Sequence, residues 1–398
     1  MTTHRVPQPH VACSWALDTE IVAGKGCILI DREGREIIDF AGGWCVGTHG
    51  WGEQRIAEAV CAEARRGLYV PPTFQWAGWE ELAALLCSIA PGGLSKVYRC
   101  CSGSEAVEFA IKCARAATGR DVIVSVDGVY HGHTYGAASV GNAIGRHMGS
   151  GLPHCEKITF PHTIMDADRA LSELAALVKK GDVAGFISEP VFSNAGVRIP
   201  PPDFYPRVQE LCRAHGALFM MDEVAVGFGR CGTLFASELW GLSPDVLCLG
   251  KALTGGYGTL GATLVTQDVF DRCDGIPDYV TFGWTPINVA ATLANLRLLL
   301  ERRLTGNART IGAHMLRTLQ GMRDEGLVRD VRGMGLLLGL TPPSHINDLQ
   351  QRCLDLGLFV EGWAEPDGTP YTLISPPLIL DEETADRGLA ILRSALTA

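Results

Sequence analysis

No apolar run in the chain approaches the length of a membrane span, and residues 1–15 hold Pro7, Pro9 and two histidines where a secretion signal would need an apolar centre. Lys and Arg are nowhere clustered, and the formal net charge of −10 argues against a partner made of nucleic-acid phosphates. Fourteen cysteines are present without a single Cys-x-x-Cys pair, and His131-x-His133 is the one close histidine pair, with no acidic helix beside it. That pattern excludes a zinc ribbon or disulfide frame and fits reduced thiols in a cytoplasmic protein with no metal site. Also missing are a Gly-x-Ser-x-Gly elbow, a Gly-x-x-x-x-Gly-Lys-Ser/Thr loop and a His-Glu-x-x-His helix, so serine-hydrolase, P-loop and zincin chemistry have no support.

What remains is a long chain of enzyme-like composition. Its 398 residues are 47% hydrophobic and include 47 glycines, enough for two domains and many tight turns near a ligand. The stretch 244–256 stands out, because the apolar run Val246-Leu247-Cys248-Leu249 stops at Gly250-Lys251 and is followed by Gly255-Gly256. A short apolar run after a proline predicts a strand buried on both faces of a parallel sheet, which puts Lys251 at its carboxyl end. Ligands collect at that edge, and a partly desolvated lysine is a nucleophile toward carbonyls. A solvated surface lysine is the plain alternative.

Two more strand-like runs end on charge. Residues 183–188 stop at Glu189-Pro190, and residues 217–221 stop at Asp222-Glu223; Lys251 follows Asp222 by 29 residues, the length of one αβ unit. Residues 97–101 lead into Ser102-Gly103-Ser104-Glu105, a Ser-x-x-Glu capping pattern opening a helix, where Gly103 lets an anion approach free backbone N–H groups. Residues 121–126 form a further strand that runs into Tyr130-His131-Gly132-His133, placing a ring and an imidazole beside a ligand. Residues 134–182 read as a long irregular stretch, and Arg332-Gly333-Met334-Gly335 as a turn before a strand. A lysine for an aldehyde, an aspartate for a protonated ring nitrogen, a helix start for a phosphate and a stacking aromatic together describe a site for pyridoxal 5′-phosphate.

These residues also resemble the class III (omega) aminotransferases, a family of fold type I pyridoxal-phosphate enzymes. The likeness rests on Ser102-Gly103-Ser104-Glu105-Ala106, Tyr130-His131-Gly132, Glu189-Pro190, Asp222-Glu223-Val224, Gly227-Phe228-Gly229-Arg230, Gly250-Lys251, Thr281-Phe282 before Pro286, and Arg332-Gly333, all in the family's order. It implies an α/β fold with a mostly parallel central sheet flanked by helices in a large domain, residues 46–285. A smaller α/β domain, residues 286–398, would follow, with the N-terminal segment 1–45 packing against it. It further implies a Schiff base at Lys251, Asp222 on the ring nitrogen, Tyr130 and Val224 on the two ring faces, Gly103 and Ser104 on the phosphate, and Glu189 toward the substrate. Thr281 would reach the phosphate of a neighbouring subunit, so the site is shared across an obligate homodimer. The implied reaction moves an amino group from an amine or amino acid to a keto acid or aldehyde by a ping-pong cycle, with Lys251 as general base and acid. An aminomutase, or an amino-acid racemase or epimerase on the same scaffold, is the neighbouring alternative, and a pyridoxal-phosphate-binding protein kept for regulation is a more distant one.

Locally the chain is most similar to diaminopelargonate aminotransferases, but it departs from the wider pattern. No arginine precedes Pro376-Pro377; Tyr371-Thr372-Leu373-Ile374 makes an apolar wall instead, Asn194 stands where a partner glutamate is common, and Glu361 stands where a substrate-binding arginine is expected. Trp44, Asn194, Arg198 and Leu373 are therefore the candidate substrate-pocket residues, Arg198 as a possible carboxylate contact. Trp44, Trp51, Tyr257 and Trp284 would line an aromatic pocket or else belong to the core or a dimer interface.

Overall fold

The computed structural model describes residues 17–142, 149–346 and 348–397; residues 1–15, and with them the secretion-signal reading, lie outside that range. Three strands open the described chain: β1 (Ile21–Lys25), β2 (Ile28–Asp31) and β3 (Glu36–Asp39), paired in antiparallel order. The glycine-rich turn Gly42–Cys45 and the helices Gln54–Arg66 and Ala77–Ile89 follow.

The central sheet is built from β4 (Leu94–Cys100), β5 (Val122–Val126), β6 (Cys155–Ile158), β7 (Val183–Ser188), β8 (Leu218–Asp222), β9 (Val246–Leu249) and β10 (Gly261–Thr266). Their order across the sheet is β4-β10-β9-β8-β7-β5-β6, with β10 the one antiparallel member. Every residue of β5, β7, β8 and β9 is buried, as expected of parallel strands covered on both faces by helices. Each fully buried large apolar side chain there contributes about 1.5–3 kcal/mol, so the strands extend as far as the apolar run does and end at or within two residues of a charge.

The C-terminal part has the helices Pro286–Glu301 and Leu304–Asp324, then β11 (Asp330–Met334), β12 (Leu337–Thr341), β13 (Leu358–Phe359), β14 (Glu361–Ala364), β15 (Pro370–Ile374) and a last helix Glu382–Thr397 capped by Asp381. Strand β13 pairs in parallel with β3, which ties the N-terminal meander to this part of the chain, while β11, β12, β15 and β14 form a third sheet.

Two expectations are corrected. The described residues of the stretch 134–182, which leave out 143–148, are not irregular: they hold the helix Tyr135–Val140, the edge strand β6 and the helix Ile164–Val178. The longer helix buries Ala167, Ala170, Leu171, Leu174 and Val178, a helical spacing, behind a Thr163–Asp166 capping box. Arg332 and Gly333 lie within a strand, β11, and not in a turn; the chain turns at Gly335, whose φ is 53°.

Candidate active site

Because β7, β8 and β9 are parallel neighbours, their carboxyl ends put Glu189, Asp222 and Lys251 side by side. All three line one cavity of about 150 Å³, shared with Ser102, Gly103, Ser104, Tyr130, His131, Asn194 and Val224. Glu189 and Asp222 are buried and Lys251 half-buried. Lys251 has a φ of 43°, a left-handed backbone that costs a non-glycine residue about 1–3 kcal/mol. Among the described residues its Nζ has neither an ion pair nor a hydrogen bond.

Asp222 is held from two sides. Val224 donates its backbone N–H to Oδ1 at 3.0 Å, and His131 Nδ1 lies 2.6 Å from Oδ2, with both side chains almost wholly buried. An ionised carboxylate only accepts, so Nδ1–H of His131 is the donor. The sequence placed His131 near the ligand; the structure makes it the partner of Asp222.

Glu189 Oε2 accepts from Ser193 Oγ and from the Ser193 backbone N–H at 3.2 Å. Burial, and then the Asp222 charge, push the Glu189 carboxyl up to about 8, against the opposing pull of Ser193 and the Lys251 ammonium. In cofactor-free protein a folded value above the unfolded one, about 4.3 for glutamate, means stability present at low pH is lost as pH rises toward 8. We expect Glu189→Gln to melt at a temperature that increasingly exceeds that of the wild type between about pH 4.5 and 8, with no further change above. A melting difference flat across that range would overturn this electrostatic account.

The helix Gly103–Thr118 begins at the end of β4 and points its first turn into the same cavity. Ser102 Oγ accepts from Glu105 N, but Glu105 returns its bond to Cys101 N, so the expected capping box is displaced by one residue. Gly103 has no room for a side chain, since a Cβ there would stand 2.7 Å from Val224 Cγ1. Ser104 Oγ accepts from His133 N at 3.1 Å. Tyr130 is half-buried, with its ring 5.3 Å from that of His133, and burial followed by the Asp222 and Glu189 charges raises its phenol.

Not every expected residue joins this cavity. Asn194 does, donating to Ser193 Oγ at 3.2 Å. Arg198 does not line it, because its guanidinium is taken by Glu365 at 2.8–3.0 Å and by Asp330 at 3.1 Å, which leaves it no free fork for a carboxylate. Leu373 packs in an apolar cluster with Val191, Ala225 and Tyr371 beside the cavity. Trp44 lines a different cavity. Trp51 donates to Asp39, Trp284 is buried and donates to Gly261 O, and Tyr257 donates to Glu53 O, and none of the three lines the Lys251 cavity. Thr281 is exposed, with its carbonyl held by Tyr69 Oη at 2.8 Å. Ser193 is the functional neighbour that sequence reasoning missed; its only signal was a hydroxyl four residues after Glu189.

These groups fit pyridoxal phosphate. A helix start with a glycine that cannot carry a Cβ suits a phosphate, an aspartate braced by a histidine suits a protonated ring nitrogen, and the buried His131 Nε2 and Glu189 Oε1, without a partner among the described residues, await a polar ligand.

The sequence profile of the aminotransferase class-III family matches residues 14–396. The chain belongs to the class III aminotransferases. This aminotransferase is 33% identical over 382 residues to the acetylornithine aminotransferase of Methanosarcina mazei, covering 94% of this chain and 90% of that protein. It is 36% identical over 304 residues to the adenosylmethionine-8-amino-7-oxononanoate aminotransferase of Synechococcus elongatus, covering 71% and 72%. Among solved structures, the PLP-bound amine transaminase of an uncultivated Pseudomonas species superposes with a TM-score of 0.90 at 28% identity, covering 98% of both chains. The aminotransferase is thus a pyridoxal-phosphate enzyme acting on small molecules. No helix among its described residues is long and apolar enough to cross a membrane.

Proposed function

We propose that the cavity at the carboxyl ends of β7, β8 and β9 is the transamination site, with Lys251, Asp222 and Glu189 as its working groups. The observation that carries this is the convergence of Lys251, the Asp222–His131 pair and the Gly103 helix start on one cavity. Lys251 would hold the cofactor aldehyde, Asp222 its ring nitrogen, and Gly103 with Ser104 its phosphate, while Tyr130 and Val224 would flank the ring. The bound cofactor supplies an electron sink for the bond-breaking step. Lys251 Nζ takes up and returns a proton, Asp222 keeps a positive charge opposite it, and the His131 bond fixes the direction of the carboxylate. Glu189, held by Ser193, turns its free Oε1 toward the substrate side.

The donor in this reading is an amine or amino acid, the acceptor a keto acid or aldehyde, and the setting the cytoplasm. Residues 46–285 form the cofactor-binding unit, and 286–398 with 1–45 the smaller one. The active form is a homodimer in which Thr281 reaches the neighbouring phosphate. Exposed Tyr69 (43%), Phe74 (65%), Tyr279 (72%) and Phe282 (64%) support that assembly, since so many exposed large rings are rare on a monomer, and Tyr69 and Phe282 adjoin Thr281.

A single-turnover experiment tests the reaction. Holoenzyme given an amine donor without acceptor should release one equivalent of carbonyl product per subunit and stop, resuming when a keto acid is added. Continued turnover without acceptor would instead indicate an isomerase.

A further inference from the structure

A second cavity, of about 260 Å³, opens beside Trp44 and is lined by Leu17, Gln350, Phe359, Glu361 and Trp363. Glu361, the first residue of β14, is only 5% exposed, yet no lysine, arginine or histidine is among the described residues that line this cavity. Trp44 Nε1 donates to its Oε1 at 2.7 Å, and among the described residues nothing donates to Oε2. A nearly buried carboxylate with one bonded oxygen and no counter-charge is costly, and the cost falls when a cation enters.

The walls suit a cation as well. The Trp44 and Trp363 rings meet edge to face with centroids 6.1 Å apart, and Phe359 adds a third aromatic surface. Aromatic faces attract ammonium groups. The turn that presents Trp44 is held at φ 63° and 67° for Trp44 and Cys45, a left-handed backbone that costs about 1–3 kcal/mol per residue and persists only where its surroundings enforce it. Burial, and secondarily the charge of Asp39, push the Glu361 carboxyl up to about 7 against the opposing pull of the Trp44 hydrogen bond, the direction expected of a buried carboxyl without a counter-charge. We propose that this cavity is a binding site for an alkylammonium group, held by Glu361 beside the rings of Trp44 and Phe359.

The site adjoins the Lys251 cavity. The turn Gly42–Cys45 packs on the turn Lys251–Leu253, and Cys45, next to Trp44, clusters with Leu373, the register partner of Glu361, and with Ala225, which lines the Lys251 cavity. The alkylammonium is either the second cationic end of a diamine whose first end reacts, which rests on the transamination reading, or a separate small cation.

Calorimetric titration of holoenzyme with trimethylpentylammonium, which has no N–H and cannot react at Lys251, tests the site directly. We expect saturable binding that Glu361→Gln weakens about 10- to 100-fold, the size of a charged hydrogen-bonding or ion-pair contact. Glutamine keeps the shape and the acceptor for Trp44, and because it removes a carboxyl raised by burial, a melting temperature at or above that of the wild type verifies the fold. Wild type that binds nothing at about 10 mM, or a variant that binds as tightly as wild type, overturns the proposal. A second arm compares kcat/KM for 1,5-diaminopentane and n-pentylamine. A diamine-to-monoamine ratio that falls about 10- to 100-fold in Glu361→Gln identifies the substrate's own second ammonium as the ligand, and an unchanged ratio beside weakened titration identifies a separate cation. If neither amine is turned over, the choice of amine donor fails while the titration still decides the site.

Discussion

Lys251→Ala should abolish amino transfer, lowering kcat about 10⁴-fold or more, while the protein folds and melts as the wild type does. The separation of the two effects follows from the geometry. Lys251 is half-buried and makes no ion pair or hydrogen bond with any described residue, so its removal strands no hydrogen-bonding partner and takes away only its pull on the Glu189 carboxyl. Alanine meets the same left-handed backbone penalty as lysine at φ 43°, and the expected stability change stays within about 1 kcal/mol. Activity has no substitute to draw on: Lys157, which burial pushes down to about 8, is tied to Ser125 and to the carbonyls of Val140 and Gly141, outside the cavity. Lys251→Arg should be equally inactive, because a guanidinium keeps its proton and cannot act as a base or nucleophile. Single-turnover carbonyl release, read beside melting curves, checks both variants. Transfer within tenfold of wild type in either one would remove Lys251 from the reaction.

The legibility of the site in the sequence has a physical cause. Parallel strands buried on both faces are nearly continuous apolar runs, so β7 and β9 begin and end where the sequence changes character, and the charges that stop β7, β8 and β9 are the working residues. Contacts made across long sequence separations leave no such mark. Arg198 looked available because Glu365, which takes its guanidinium, is 167 residues away, and Trp44 meets Glu361 across 317 residues. The helix Ile164–Val178 and β6 were missed for a different reason: β6 is a four-residue edge strand without a full apolar run, and it hides the rhythm of the helix that follows. The capping pattern at Ser102 was legible as a helix start, whereas the exchange of bonds between Glu105 and Cys101 depends on how β4 enters the turn.

Asp222→Asn should reduce kcat about 10³- to 10⁴-fold with the cavity intact, which is the order seen when a buried orienting aspartate loses its charge and keeps its shape. Asparagine can still accept from Val224 N through its carbonyl oxygen, so the turn after β8 persists. What it loses is the negative charge opposite the cofactor ring and, at Oδ2, the acceptor for His131 Nδ1. Replacing His131 with phenylalanine removes the donor to Oδ2 and the Nε2 that lines the cavity but leaves the Asp222 charge, so the expected loss is smaller, about 10- to 100-fold. The order Asp222→Asn worse than His131→Phe, measured as single-turnover rates with one amine, separates charge from positioning, and the reverse order would sink the assignment. A second readout needs no turnover. The Asp222 charge is one of the two forces that raise the Glu189 carboxyl, so in an Asp222→Asn background that group should titrate at lower pH. The pH window in which Glu189→Gln gains stability should then contract from its alkaline end, which ties the two carboxylates to a single field around Lys251.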